Sequence, residues 1–162
     1  MYRLWATWRK NYIKSGFLKS ENCIFCIGKD KTNDRESLIL KRGVNNFIIM
    51  NLYPYNPGHL MVVPYRHLSD ITKLNEKEFL EMKEMLDISV KVLKDNMYPE
   101  GFNIGFNIGK AAGAGIDDHL HLHIVPRWSG DTNFIPVLSE TKVMSIDLFE
   151  LYDEIVDYFN KM

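Results

Sequence analysis

Residues 117–128 read DDHLHLHIVPRW, and the fold turns on how that stretch is read. Three of the chain's five histidines, His119, His121 and His123, fall here, alternating with Leu120, Leu122 and Ile124. Alternation with period two predicts a β-strand over 119–125, because successive side chains of a strand point to opposite faces. Leu120, Leu122 and Ile124 then face the core. The imidazoles line the other face, spaced by about 6.6–6.8 Å. A solvated strand face is ordinarily built from Thr, Lys or Glu, so three imidazoles in register call for a role. Two chemistries fit. Alternate histidines can share one metal ion, as in a His₃ zinc site. A neutral imidazole is also a nucleophile toward phosphorus, and a covalent phosphoramidate splits one hard displacement into two easier ones.

The flanking residues favour phosphorus. Just upstream, GFNIGFNIGKAAGAG (101–115) ends in a small-residue loop whose Gly113 and Gly115 can bring backbone N–H groups to anionic oxygens. NPGH (56–59) adds His59 at the mouth of another strand.

Further out, the chain alternates strands and turns, with helices set apart. LILKRG (38–43) and NNFIIMNL (45–52) read as two strands joined by a tight turn near Gly43. NLYPYNPGH is a loop, because neither Pro54 nor Pro57 can donate to a sheet ladder. HLMVVP (59–64) is a short buried strand, and GFNIGFNIG (101–109) another. Residues 75–97 form the strongest helix. Asn75 and Glu78 make a capping box, and Phe79, Met82, Leu86, Val90, Leu93 and Met97 form one apolar stripe. Residues 145–162 give a C-terminal amphipathic helix and 1–20 an N-terminal helical extension. The class is α+β.

The length of 162 residues predicts one domain. With 46% apolar and 25% charged residues it is an ordinary globular composition. A net charge of −1 gives no reason to expect a nucleic-acid partner. No apolar run approaches a membrane span, and the basic, aromatic N-terminus lacks the apolar centre of a signal peptide, so the expected location is cytoplasmic. The only cysteines, Cys23 and Cys26, form CIFC at the centre of a polar knuckle, 21–30. In a reducing compartment that spacing points to metal binding or redox chemistry before a disulfide.

HLHLHIV matches the His-φ-His-φ-His-φ-φ pattern of the histidine triad (HIT) superfamily of nucleotide hydrolases and transferases. The resemblance extends to NLYPYNPGHLMVVPYRH and to PRWSGDTNFIPVLSETKV. It is similar to the branch of diadenosine tetraphosphate phosphorylases and Fhit-like dinucleoside polyphosphate hydrolases. It implies a five-stranded antiparallel sheet with a long helix against it, extra helices at both ends, and a homodimer whose sheet continues across the interface. By the same resemblance His121 is the nucleophile, forming a nucleotidyl-histidine released by water or phosphate. His123 steadies phosphate charge, His59 orients the phosphate region, Asn51 holds the ribose, and Asn107 reaches the phosphates or leaving group. Family members often carry Gln, Ser or Thr where this chain has Gly115 and Ile116, which leaves the acceptor open. Relatives with a similar CxFC and Pro-x-x-His hold Zn²⁺, and the matching ligands are Cys23, Cys26, His67 and His119.

The substrate implied is an adenine nucleotide, foremost a diadenosine polyphosphate. The alternatives are an adenosine phosphoramidate hydrolase, a slow nucleotide sensor or adaptor, and a hydrolytic zinc site on all three triad histidines. Other polar residues admit blander roles: Asp117 and Asp118 end the loop or set an imidazole's charge, Asn103 is a strand or turn residue, and Arg127 with Trp128 is either surface packing or, by the resemblance, a contact to polyphosphate or base.

Overall fold

The structure, a computed structural model, describes residues 23–26, 33–131 and 144–162. The expected N-terminal helix, 1–20, and the outer parts of the 21–30 knuckle lie outside the described residues.

Five strands form one sheet: β1 (Ile39–Arg42), β2 (Asn46–Met50), β3 (Leu60–Pro64), β4 (Gly101–Phe106) and β5 (Leu122–Arg127). Their order is β1-β2-β3-β5-β4, and every neighbouring pair is antiparallel. Two helices pack on it, α1 (Glu76–Met97) and α2 (Leu148–Asn160). This is the α+β arrangement expected from the sequence.

Local chemistry sets the helix ends. The Asn75 side chain accepts from the Glu78 N–H, and the Glu78 carboxylate accepts from the Asn75 N–H, which is the expected capping box. Tyr98 ends α1 in the left-handed region at φ 51°. The Asp147 side chain caps α2 through the Phe149 and Glu150 N–H groups.

The expected apolar stripe of α1 packs on the core at Met82, Leu86, Val90, Leu93 and Met97 and fails only at Phe79. Met82, Met85, Ser89, Val92 and Leu93 are buried, whereas Phe79 is 56% exposed. The capping box and the ion pair with Arg66 turn Glu78 inward (2.7 Å), and the next residue is rotated outward by about 100°. Leu151, Tyr152, Ile155 and Phe159 of α2 complete the core, and the Tyr152 hydroxyl donates to the Ile39 C=O (2.8 Å).

The β1–β2 turn is fastened to α1. The Glu81 carboxylate accepts from the N–H groups of Val44, Asn45 and Asn46, at 2.6, 2.7 and 2.8 Å. Gly43 makes that approach possible, because a Cβ there would run into the Met85 methyl and the Glu81 carboxylate.

Strand β5 starts three residues later than the alternation predicts. It begins at Leu122; His119 lies in a bend, and Leu120 and His121 precede the strand without joining the ladder. By the β3–β5 register Leu120 falls opposite Pro64, which has no N–H for a ladder. The Leu120 N–H turns instead to the Leu68 C=O (2.6 Å).

Candidate active site and metal-binding cluster

All three triad histidines are buried, as is His59: their exposures are 1% (His119), 6% (His121), 8% (His123) and 1% (His59). Leu122 and Ile124, on either side of His123, join the main core, so the expected alternation holds there.

His121 has a fixed tautomer. Its Nδ1 lies 2.8 Å from the backbone C=O of His119. A carbonyl only accepts, so Nδ1 carries the hydrogen and Nε2 keeps a free lone pair. Burial lowers the His121 pKa, and the bond to the carbonyl only partly offsets this. The ring is therefore neutral at pH 7, as a nucleophile requires.

His123 is oriented through His59. The Tyr55 N–H donates to His59 Nδ1 (3.0 Å), which leaves the His59 hydrogen on Nε2, 2.9 Å from His123 Nδ1. His123 then carries its own hydrogen on Nε2, beside the Asn107 side-chain NH₂ (3.3 Å between nitrogens); the two are donors set side by side, not bonded to each other. An N–H donor thus points toward a groove of about 400 Å³ lined by Tyr55, Asn56, Asn103, Asn107, His123 and Arg127, among others. Burial, and next the neighbouring His121, lower the His123 pKa to about 4.

Gly58 sits at φ +75°, and a Cβ there would press on the Met97 sulfur at 2.7 Å, so the Pro-Gly-His turn needs glycine. The Asn51 side chain accepts from the Tyr53 N–H (2.9 Å) and turns its amide nitrogen toward His59 Nδ1 (3.3 Å). The Gly113 N–H donates to the Lys110 C=O (3.0 Å) inside a 3₁₀ turn. Gly113 is at φ 91°, so it shapes the loop there.

The other cluster is built from distant segments. The ligand atoms of Cys23, Cys26, His67 and His119 all lie within 4.8 Å of one another. Cys23 Sγ is 3.3 Å from His119 Nδ1, Cys26 Sγ is 3.3 Å from His67 Nδ1, and Cys26 Sγ is 3.8 Å from His119 Nδ1. A tetrahedral ion with Zn–S of about 2.3 Å and Zn–N of about 2.0–2.1 Å needs edges of roughly this length. His119 Nε2–H donates to the Pro64 C=O (2.8 Å), which turns Nδ1 toward the sulfurs and supplies the outer partner that metal-bound histidines usually have. Burial, and next the adjoining Cys23, push the Cys26 thiol up, a tendency that a cation among the sulfurs reverses. The donor set fits a metal ion. His119 faces this cluster, whereas His123 lines the groove and the His121 ring lies 4.7 Å from that of His123.

A family model described as the HIT domain matches residues 34–130. The chain belongs to the HIT family. It is 40% identical over 150 residues to a protein of Mycobacterium tuberculosis named AP-4-A phosphorylase, covering 89% of this chain and 77% of that one. It is 30% identical over 93 residues to a bis(5'-adenosyl)-triphosphatase of Dictyostelium discoideum, covering 57% and 62% of the two chains. Among solved structures, a Zn-bound histidine triad family protein from Mycobacterium smegmatis superposes with a TM-score of 0.65 at 23% identity, over 88% of this chain and 96% of that one. At that identity the likeness speaks for the HIT fold.

Three features of this HIT chain escaped the sequence reading. The Tyr55 ring lies against His59 (4.6 Å between centroids) and stacks near His123 (5.9 Å). Its place in the PYNPGH loop was the available signal. Arg127, expected either on the surface or against polyphosphate, belongs to a network that braces the groove wall: it holds Asp131 (2.6 Å) and Asn103 (2.7 Å), and Asn56 also donates to Asp131 (2.7 Å). The third is Phe25, which packs on both His119 and His121.

Proposed function

We propose that this HIT-family enzyme cleaves diadenosine polyphosphates through a nucleotidyl-histidine intermediate on His121, with inorganic phosphate as the acceptor. The observation that carries the reading is the 2.8 Å contact between His121 Nδ1 and the His119 carbonyl, which leaves Nε2 unprotonated in a buried ring. The Nε2 lone pair attacks the α-phosphorus as the bond from phosphorus to the bridging oxygen breaks, and the nucleoside polyphosphate departs with that electron pair. Positive charge grows on the ring as the N–P bond forms, and the Nδ1–H bond to the carbonyl strengthens to meet it. His123 Nε2–H and Asn107 supply donors where negative charge develops on the phosphoryl oxygens. Phosphate then attacks the same phosphorus and the N–P bond breaks, which returns neutral His121.

Asn51 holds the ribose, and Gly113 with Gly115 shapes the loop beside the phosphates. The identity to the Mycobacterium tuberculosis AP-4-A phosphorylase supports both the substrate class and phosphate as acceptor. Zinc is the proposed ion for the Cys₂His₂ cluster, with a structural role: four protein ligands close a tetrahedral site and leave no open position. The enzyme is further proposed to be a cytoplasmic homodimer. Exposed Asn103, Ile104 and Gly105 on edge strand β4 support a sheet continued into a second copy.

The test is incubation with diadenosine tetraphosphate, with and without inorganic phosphate. Phosphorolysis yields ATP and ADP, and hydrolysis yields ATP and AMP. A protein that cleaves neither this substrate nor any diadenosine polyphosphate contradicts the proposal.

A further inference from the structure

Phe25 lies between the two cysteines of CIFC and is 4% exposed, although Cys26 beside it is exposed. Its ring centroid is 5.1 Å from that of His121 and 5.6 Å from that of His119. His121 also meets the His123 ring edge-on at 4.7 Å. His121 therefore packs on two rings, and the His119 carbonyl fixes its Nδ1. Phe25 has little freedom of its own. The Cys26 N–H closes a turn onto the Cys23 C=O (3.0 Å), and the two sulfurs lie against His119 and His67. One short segment thus carries two metal-type ligands and the side chain that packs on the proposed nucleophile.

We propose that Phe25 is a positioning residue for His121, through which the Cys₂His₂ knuckle sets the orientation of the imidazole. The proposal rests on reading His121 as the nucleophile. An Nε2 lone pair is productive only when it lines up with phosphorus and the departing oxygen. A ring free to turn loses that alignment without losing the substrate's binding contacts. His121 can rotate about its χ angles into any space that opens beside it, and Phe25 fills that space. The knuckle thereby has a second task beyond stability: a metal-anchored turn that holds one aromatic ring in register with the catalytic strand.

The experiment compares the wild-type chain with Phe25→Ala, Phe25→Leu and His121→Asn. Each is measured for bound zinc, for kcat and KM on diadenosine tetraphosphate with phosphate, and, where His121 is retained, for its tautomer by nitrogen NMR. Phe25→Ala is expected to keep its zinc and a KM within about twofold, while kcat falls roughly 10- to 100-fold. The His121 resonances move from a pure Nδ1–H form to a mixture. Phe25→Leu restores apolar bulk and is expected to recover part of kcat. Wild-type kcat with an unchanged tautomer in both Phe25 variants overturns the inference. So does a loss carried by KM, or a loss that only follows missing zinc. If Phe25→Ala does not fold, Phe25→Leu decides, together with the proton contacts between the Phe25 and His121 rings in the wild type; their absence also overturns the inference. Wild-type turnover by His121→Asn marks failure of the functional reading itself. An inactive His121→Asn beside fully active Phe25 variants marks failure of the positioning role alone.

Discussion

His59 Nε2 and His123 Nδ1 lie 2.9 Å apart in a buried contact whose direction is imposed from outside the pair. The Tyr55 N–H occupies His59 Nδ1, so His59 donates and His123 accepts. The consequence is an N–H on His123 Nε2, at the groove beside the proposed nucleophile. Replacing His59 with alanine removes this direction and leaves a buried acceptor without its donor. Such a loss costs about 1–3 kcal/mol of stability. We expect kcat to fall about 10- to 100-fold, with the His123 tautomer mixed in nitrogen spectra. A His59→Ala enzyme with unchanged kcat and a single His123 tautomer contradicts the relay.

The lowered His123 pKa predicts how stability depends on pH. The folded value is about 4 and the ordinary value 6.5, with burial as the first cause. Between those values the unfolded chain takes up a proton that the folded chain does not. The contribution is therefore complete above pH 6.5 and is lost as pH falls toward 4. The difference amounts to about 3 kcal/mol. Denaturant midpoints from pH 7 to 4 measure it, and His123→Gln is expected to flatten the slope. An equal slope in both proteins refutes the assignment.

Metal removal separates the two kinds of histidine. Cys23→Ser breaks the cluster at the sulfur nearest His119. We expect that variant to purify without zinc and to melt at a lower temperature, because a closed structural site contributes directly to folding. His121→Asn is expected to retain full zinc. Zinc that survives Cys23→Ser but disappears with His121→Asn points to a triad-bound metal instead.

Glu81 offers a test away from the chemistry. Burial alone would raise its carboxyl, but bonds from the Val44 N–H and the Asn46 side chain, and from the Asn45 and Asn46 N–H groups, outweigh that and lower it. Glu81→Ala strands these donors at the β1–β2 turn and is expected to cost about 3 kcal/mol, with Glu81→Gln costing less. Chemical denaturation reads both values, and an alanine variant as stable as wild type removes the turn's proposed anchor.

Much of this was legible in the residues because the governing chemistry is local or periodic. Asn75 and Glu78 lie three positions apart, and their reciprocal bonds follow from that spacing alone. Leu122 and Ile124 entered the core as their alternation required. The start of β5 was hidden, because it depends on the Leu68 carbonyl, some fifty positions away, taking the Leu120 N–H. Phe79 was misplaced for a similar reason: a helical stripe fixes relative angles, but the pull of Arg66 on Glu78 sets which angle faces inward. Tyr55 and Phe25 looked like ordinary loop aromatics. Their value comes from what the sheet brings against them, the His59–His123 pair for Tyr55 and His121 for Phe25.

The central claim is a covalent bond between His121 and the α-phosphorus. The direct measurement is a rapid alkaline quench of the enzyme turning over diadenosine tetraphosphate, followed by peptide mass spectrometry. The account predicts an acid-labile adenylyl group on His121, absent from His121→Asn and discharged by added phosphate. Turnover at full rate with no label on His121, or with the label on another residue, contradicts it.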